Sequence, residues 1–196
     1  MKYYLCKRNN IQTDMNHSDL LKRLSERIHE NDIREIISLL SLQENESGIH
    51  ALYTWVYHTD LRVSANAAWI LTHLDACHTP WLYSRQKELI EEAMQTTNTG
   101  KRRLILTILL EQPFDKEEIN GTFLEFCLKH MISVQESTGV KALCMKLAYQ
   151  QCVHFPELLE ELRMHLEVME PDLLSPGLKV ARKKILNHIS RSARHS

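Results

Sequence analysis

Glycine and proline are scarce: the 196-residue chain holds five of each. All-β folds spend both residues on tight turns, so their shortage argues against a sandwich or a barrel. It also excludes collagen-like and linker-like chains. The five cysteines, Cys6, Cys77, Cys127, Cys144 and Cys152, are odd in number and include no Cys-x-x-Cys pair. Neither a disulfide framework nor a paired zinc finger is expected of them. Reduced thiols serving as small apolar residues are expected instead, which places the protein in the cytoplasm. Long apolar runs are missing as well. The most apolar stretch, Leu104 to Leu110, falls far short of the ~20 residues that a membrane span requires. Met1 to Asn10 has no apolar core and no small-residue cleavage site, so no secretory leader is expected. Charge of one sign is lacking too: 24 basic and 25 acidic residues leave −1, which gives no global signal for a polyionic partner.

What the chain does have is an internal repeat. Four segments open alike, at Asp60-Leu61-Arg62-Val63, Asn98-Thr99-Gly100-Lys101, Ser137-Thr138-Gly139-Val140 and Ser175-Pro176-Gly177-Leu178, spaced by 38, 39 and 38 residues. Asp60, Asn98, Ser137 and Ser175 each carry a side-chain oxygen suited to accept a free N–H from the first turn of a helix. Pro176 stands where its missing N–H costs nothing. Ten residues after these caps come Ile70, Ile108, Leu147 and Ile185, followed directly by Leu71, Leu109, Ala148 and Leu186. These columns fall on one helical face. They predict inner helices over 60–75, 98–112, 137–152 and 175–192. A second helix with its own apolar spacing precedes each one, over 46–57, 80–95, 116–132 and 156–169. A less regular pair, over 18–29 and 32–42, starts the array. Residues 1–17 show no periodicity and are expected to form a loose arm.

Helix pairs recurring every 38 or 39 residues resemble the HEAT and armadillo families, whose units run ~40–47 residues. The best local match is Val63-Ser64-Ala65-Asn66-Ala67-Ala68-Trp69-Ile70-Leu71, which is similar to the HEAT second-helix pattern of valine, paired alanines and an aliphatic pair. The family usually carries a base directly after the valine; Ser64 takes that place here, with Arg102, Lys141 and Lys179 in the later units. The resemblance implies an all-α, right-handed solenoid of about five antiparallel pairs, filling one domain over 18–193. It also implies that the second helix of each pair lines a concave surface, and that Arg102, Lys141 and Lys179 hold turn carbonyls or acids of the adjacent repeat.

Charge divides between the layers. The outer helices sum to −9, with −5 over 155–172 alone, while the inner helices sum to +9, with +6 over 175–194. With the aliphatic columns turned to the core, the helical rotation turns other columns outward. These bring an apolar strip of Trp69, Leu106, Leu110, Met145 and Tyr149 alongside Arg103, Lys146 and Lys184. Contiguous apolar surface edged with cations marks a binding face, although neighbouring inner helices could bury the same columns against one another. The expected function is a non-catalytic scaffold holding an acidic or amphipathic peptide or protein in the concave groove. The alternative is nucleic-acid binding, because the HEAT-like glycosylases that excise alkylated bases also present aromatic residues on a basic concave surface. Against it, the inner helices hold few acids, and the pI of about 6.8 lies below the range of a basic nucleic-acid domain.

No catalytic motif supports an enzyme. Gly-x-Ser-x-Gly, His-Glu-x-x-His, phosphate-loop and Gly-x-Gly-x-x-Gly patterns are all missing from the sequence. His73, Cys77 and His78 form the tightest group of potential metal ligands, but structural zinc normally takes four, and no second cluster accompanies them. The pairs Glu91-Glu92, Glu117-Glu118 and Glu160-Glu161 fit a solvated convex face. No catalytic residue, metal or cofactor is expected.

Overall fold

A computed structural model describes residues 17–42, 46–74 and 79–192. Most of the expected arm, together with Cys77 and His78, lies outside them. Among the described residues there are helices and no strands: α1 His17–Ser25, α2 Glu30–Leu42, α3 Glu46–Trp55, α4 Leu61–Leu71, α5 Thr79–Tyr83, α6 Gln86–Gln95, α7 Thr99–Leu110, α8 Gly121–Ile132, α9 Thr138–Cys152, α10 Pro156–Val168 and α11 Pro176–Ser192. A 3₁₀ turn at Pro171–Leu173 joins the last two.

The helices form two layers around one apolar core. Helices α4, α7, α9 and α11 pack in succession, and α3, α6, α8 and α10 each pack against the helix that follows. Val63, Ile70 and Leu71 of α4, Ile108 and Leu109 of α7, and Leu147 and Ala148 of α9 are buried in that core. The N-terminal pair departs from the scheme. Its first helix, α1, stacks on α4, while α2 touches both α3 and α4. Asn66 Nδ2 fixes this arrangement by donating to the Leu24 and Glu26 carbonyls at 2.8 and 3.0 Å. Those carbonyls lie at and just past the end of α1, where a helix has no partners of its own to offer.

Three caps set the register. Asp60 Oδ1 accepts from the Arg62 and Val63 N–H groups, Asn98 Oδ1 from Lys101, and Ser137 Oγ from Val140. Ser175 is different: its carbonyl accepts from the Lys179 N–H, but its hydroxyl is buried without a partner among the described residues. The side-chain cap expected there is not made.

Two outer helices differ from their expected spans. The 80–95 helix is broken into α5 and α6, with Ser84 Oγ donating to the Trp81 carbonyl at 2.6 Å beside the break. The 116–132 helix begins only at Gly121, because Asp115 Oδ1 captures the Glu117 and Glu118 N–H groups at 2.7 and 3.2 Å. A short acid bonded to the backbone in this way offers the chain a turn instead of a helical start. Asn120 then caps α8 through the Phe123 N–H.

Candidate functional site

Solenoid surfaces bind through the faces that repeated helices present side by side. The layer made by α4, α7, α9 and α11 is such a face. Arg103, Lys146 and Lys184, one on each of three successive helices, are exposed. None of the three forms an ion pair with a described residue. Arg103 reaches across to α9: a Cβ added at Gly139 would stand 2.9 Å from its Cδ, so the glycine makes room for the arginine stem. Trp69, Leu110 and Tyr149 are half-buried, each packed on the core with part of its surface free. The Tyr149 ring lies 5.9 Å from the His188 ring of α11.

Leu106 and Met145 do not share this surface. Both are fully buried, so their expected outward placement is corrected. Both belong to the core cluster, where close packing leaves them no free surface. The face that remains is three cations among three half-buried apolar side chains.

The bases beside it are structural to different degrees. Arg102 donates through Nε to the Ala93 carbonyl at 3.1 Å, through Nη2 to the Thr96 carbonyl at 2.5 Å and through Nη1 to Glu136 at 2.6 Å. It thereby closes the end of α6 and ties α7 to the segment before α9. Its neighbour Lys101 is buried and pairs with Glu92 at 2.7 Å. Lys141 is half-buried, and its side chain bonds no described residue, while its N–H donates to the Ser137 carbonyl at 3.0 Å. Lys179 meets Asp172 only at 3.8 Å, on the surface. In the last unit it is Arg182, three residues further on, that bonds the end of the preceding helix, through the Leu166 and Glu167 carbonyls at 2.6 and 3.5 Å. Asn66, Arg182 and Gln150, whose Nε2 donates to the Leu110 carbonyl at 3.0 Å, escape a sequence reading because they sit at different positions of the repeat.

No group of three or more His, Cys, Asp or Glu side chains placed to hold a metal occurs among the described residues. Cys127, Cys144 and Cys152 are free thiols inside the core. Burial raises the Cys127 thiol well above its ordinary range, helped by its contact with Cys144, and pushes Cys152 up to about 12. Such thiols are packing groups, not nucleophiles. No described helix is long and apolar enough to cross a membrane.

A family model for the HEAT repeat domain matches residues 20–189, which is most of the chain. The chain belongs to the HEAT repeat family. No curated protein and no solved structure matches it. HEAT repeats commonly act as scaffolds for protein interaction, using the extended surfaces that stacked units create. Family membership fixes the architecture and leaves the partner to the residues on this particular surface.

Proposed function

We propose that this HEAT repeat protein is a non-catalytic cytoplasmic scaffold, built as a right-handed solenoid of about five helix pairs, that holds an acidic or amphipathic segment of another protein along its concave face. The observation that carries the reading is the row of Arg103, Lys146 and Lys184. Three exposed cations without acidic partners among the described residues, one per repeat, stand beside Trp69, Leu110 and Tyr149. Cations of this kind steer an acidic partner and fix its register, while the half-buried apolar groups supply the contact area. The free buried thiols support a reducing compartment.

Capture from native lysate with wild type, Trp69→Ala and Tyr149→Ala tests the scaffold, and the captured set should shrink with both substitutions. An unchanged set would sink the groove reading. The same three cations could instead neutralise phosphates, and salt separates the two cases. Duplex DNA binding that follows the phosphate rule loses about 0.9 in log K per neutralised contact for each tenfold rise in salt. Titration of duplex and single-stranded DNA by anisotropy should show weak, nonspecific binding at low salt only. Tight binding that persists at moderate salt and vanishes with Arg103→Ala, Lys146→Ala and Lys184→Ala would favour the nucleic-acid reading.

A further inference from the structure

The late start of α8 leaves an open space on the opposite layer. Helix α6 turns Lys87, Ile90, Glu91 and Met94 to one side, positions three and four apart that share a helical face. Residues 113–120 face it as a loop, folded by Asp115 and tethered to α6 by Gln86 Nε2, which donates to the Pro113 carbonyl at 3.1 Å. The result is a cleft of 670 Å³ between α6 and the loop.

Its walls are apolar at depth and acidic at the rim. Ile90 is buried in the floor, and Met94, Phe114 and Ile119 are half-buried around it. Phe114 is held in place by stacking on Phe123 with ring centroids 6.1 Å apart. Glu91, Asp115 and Glu118 are exposed at the edges, and none of them pairs with a described base. The N–H groups of Glu117 and Glu118 hold the Asp115 carboxyl below its ordinary range, so it stays charged. Lys87 is the one base among the lining residues, which leaves the rim acidic.

We infer that this cleft docks a basic amphipathic segment of a partner protein, with aliphatic side chains on Ile90, Met94, Phe114 and Ile119 and Lys or Arg side chains against Glu91, Asp115 and Glu118. The occupant is fixed by complementarity: carboxylates without a basic partner among the described residues, around an apolar floor, disfavour an acidic or purely polar segment and favour one that is apolar and cationic together. A helix is the natural shape, since the α6 wall itself presents Ile90 and Met94 at helical spacing for an amphipathic helix to pack along. This face is separate from the cationic row on α7, α9 and α11, so the scaffold presents two surfaces of opposite sign.

The probe is a fluorescein-labelled synthetic helix of leucine and lysine, compared with the same peptide carrying glutamate for lysine. Anisotropy titrations should show the lysine peptide binding at least about tenfold more tightly than the glutamate peptide. Glu91→Lys combined with Glu118→Lys should weaken the lysine peptide by about tenfold or more, and Met94→Ala should weaken it severalfold. Both carboxylates are exposed and unpaired, so the double variant should keep the wild-type melting curve. Glu157→Lys, at an exposed carboxylate of the acidic α10, should leave binding unchanged. The inference is overturned if neither peptide binds, if both bind alike, if the double variant binds like wild type, or if Glu157→Lys is equally harmful. It is also overturned if sedimentation shows self-association abolished by the double variant while the peptide fails to bind, since the cleft would then belong to a second copy of the chain.

Discussion

Arg102 Nη1 and Glu136 Oε1 meet at 2.6 Å across the joint between two helix pairs, 34 residues apart in the chain. The side chains are only 12% and 7% exposed, so the pair is shielded from water. His130 Nδ1 lies 2.8 Å from the same carboxylate oxygen, and the Phe126 ring lies beneath the guanidinium at 5.9 Å. One planar fork thus closes the end of α6 and clamps the turn before α9. Removing it leaves a buried carboxylate and two bare carbonyls.

Arg102→Ala should therefore cost about 3–5 kcal/mol in urea unfolding, the range for breaking one side of a buried ion pair. Arg102→Lys should recover little, because a single ammonium cannot reproduce the fork that reaches three acceptors. A loss under about 1 kcal/mol would show that the joint holds without the pair.

The four cap positions should separate into two classes. Asn98→Ala and Ser137→Ala each remove an acceptor from a helix start, at about 1 kcal/mol each. Ser175→Ala should be neutral or slightly stabilising, because its buried hydroxyl has no partner to lose. Equal losses at all four positions would mean that Ser175 caps α11 in solution.

The repeat was legible because its signals are local. A cap, a helical period and an aliphatic pair each depend on residues a few positions apart, and they recur at a fixed interval. The layers follow from the same columns. What was not legible depends on competition or on neighbours. Lys116 to Ile119 reads as a helical start, but Asp115 bonds the backbone first and delays α8 to Gly121. Leu106 and Met145 are turned outward by the helical rotation, yet both are buried within the core cluster. The angle on one helix carries no record of how closely its neighbour approaches. Arg103, Lys146 and Lys184 were placed outward and are exposed, since long charged side chains avoid such contacts. The cleft beside α6 had no sequence signal, because its second wall is a loop whose course is set by Asp115 and by the Gln86 tether to Pro113.

Thiol labelling should follow the burial of the cysteines. Native protein treated with iodoacetamide near neutral pH and mapped by peptide mass spectrometry should show Cys127 and Cys152 unmodified. Their raised titration and enclosure leave too little thiolate to react. Both should label fully in urea. Rapid native labelling of either would mean that the α8–α9–α10 region opens readily.

Acid should selectively erase the contribution of Asp60. The Val63 and Arg62 N–H groups bond its carboxylate and hold its titration below the ordinary carboxylate range, with smaller help from the charges of His58 and Arg62. A depressed folded value means that the stabilisation is complete above the unfolded value, near about 4, and is lost as pH falls through the folded value. Asp60→Asn keeps a side-chain acceptor at the cap and removes the charge. Thermal melts of the two proteins should differ at pH 7 in favour of the wild type, and the gap should close on acidification below about pH 4. Other depressed carboxylates, such as Asp32 and Glu35 beside Arg23, destabilise both proteins equally in acid and cancel in the comparison. A gap that stays constant from neutral pH into acid would show that the Asp60 cap works through hydrogen-bond geometry alone, with no contribution from its charge.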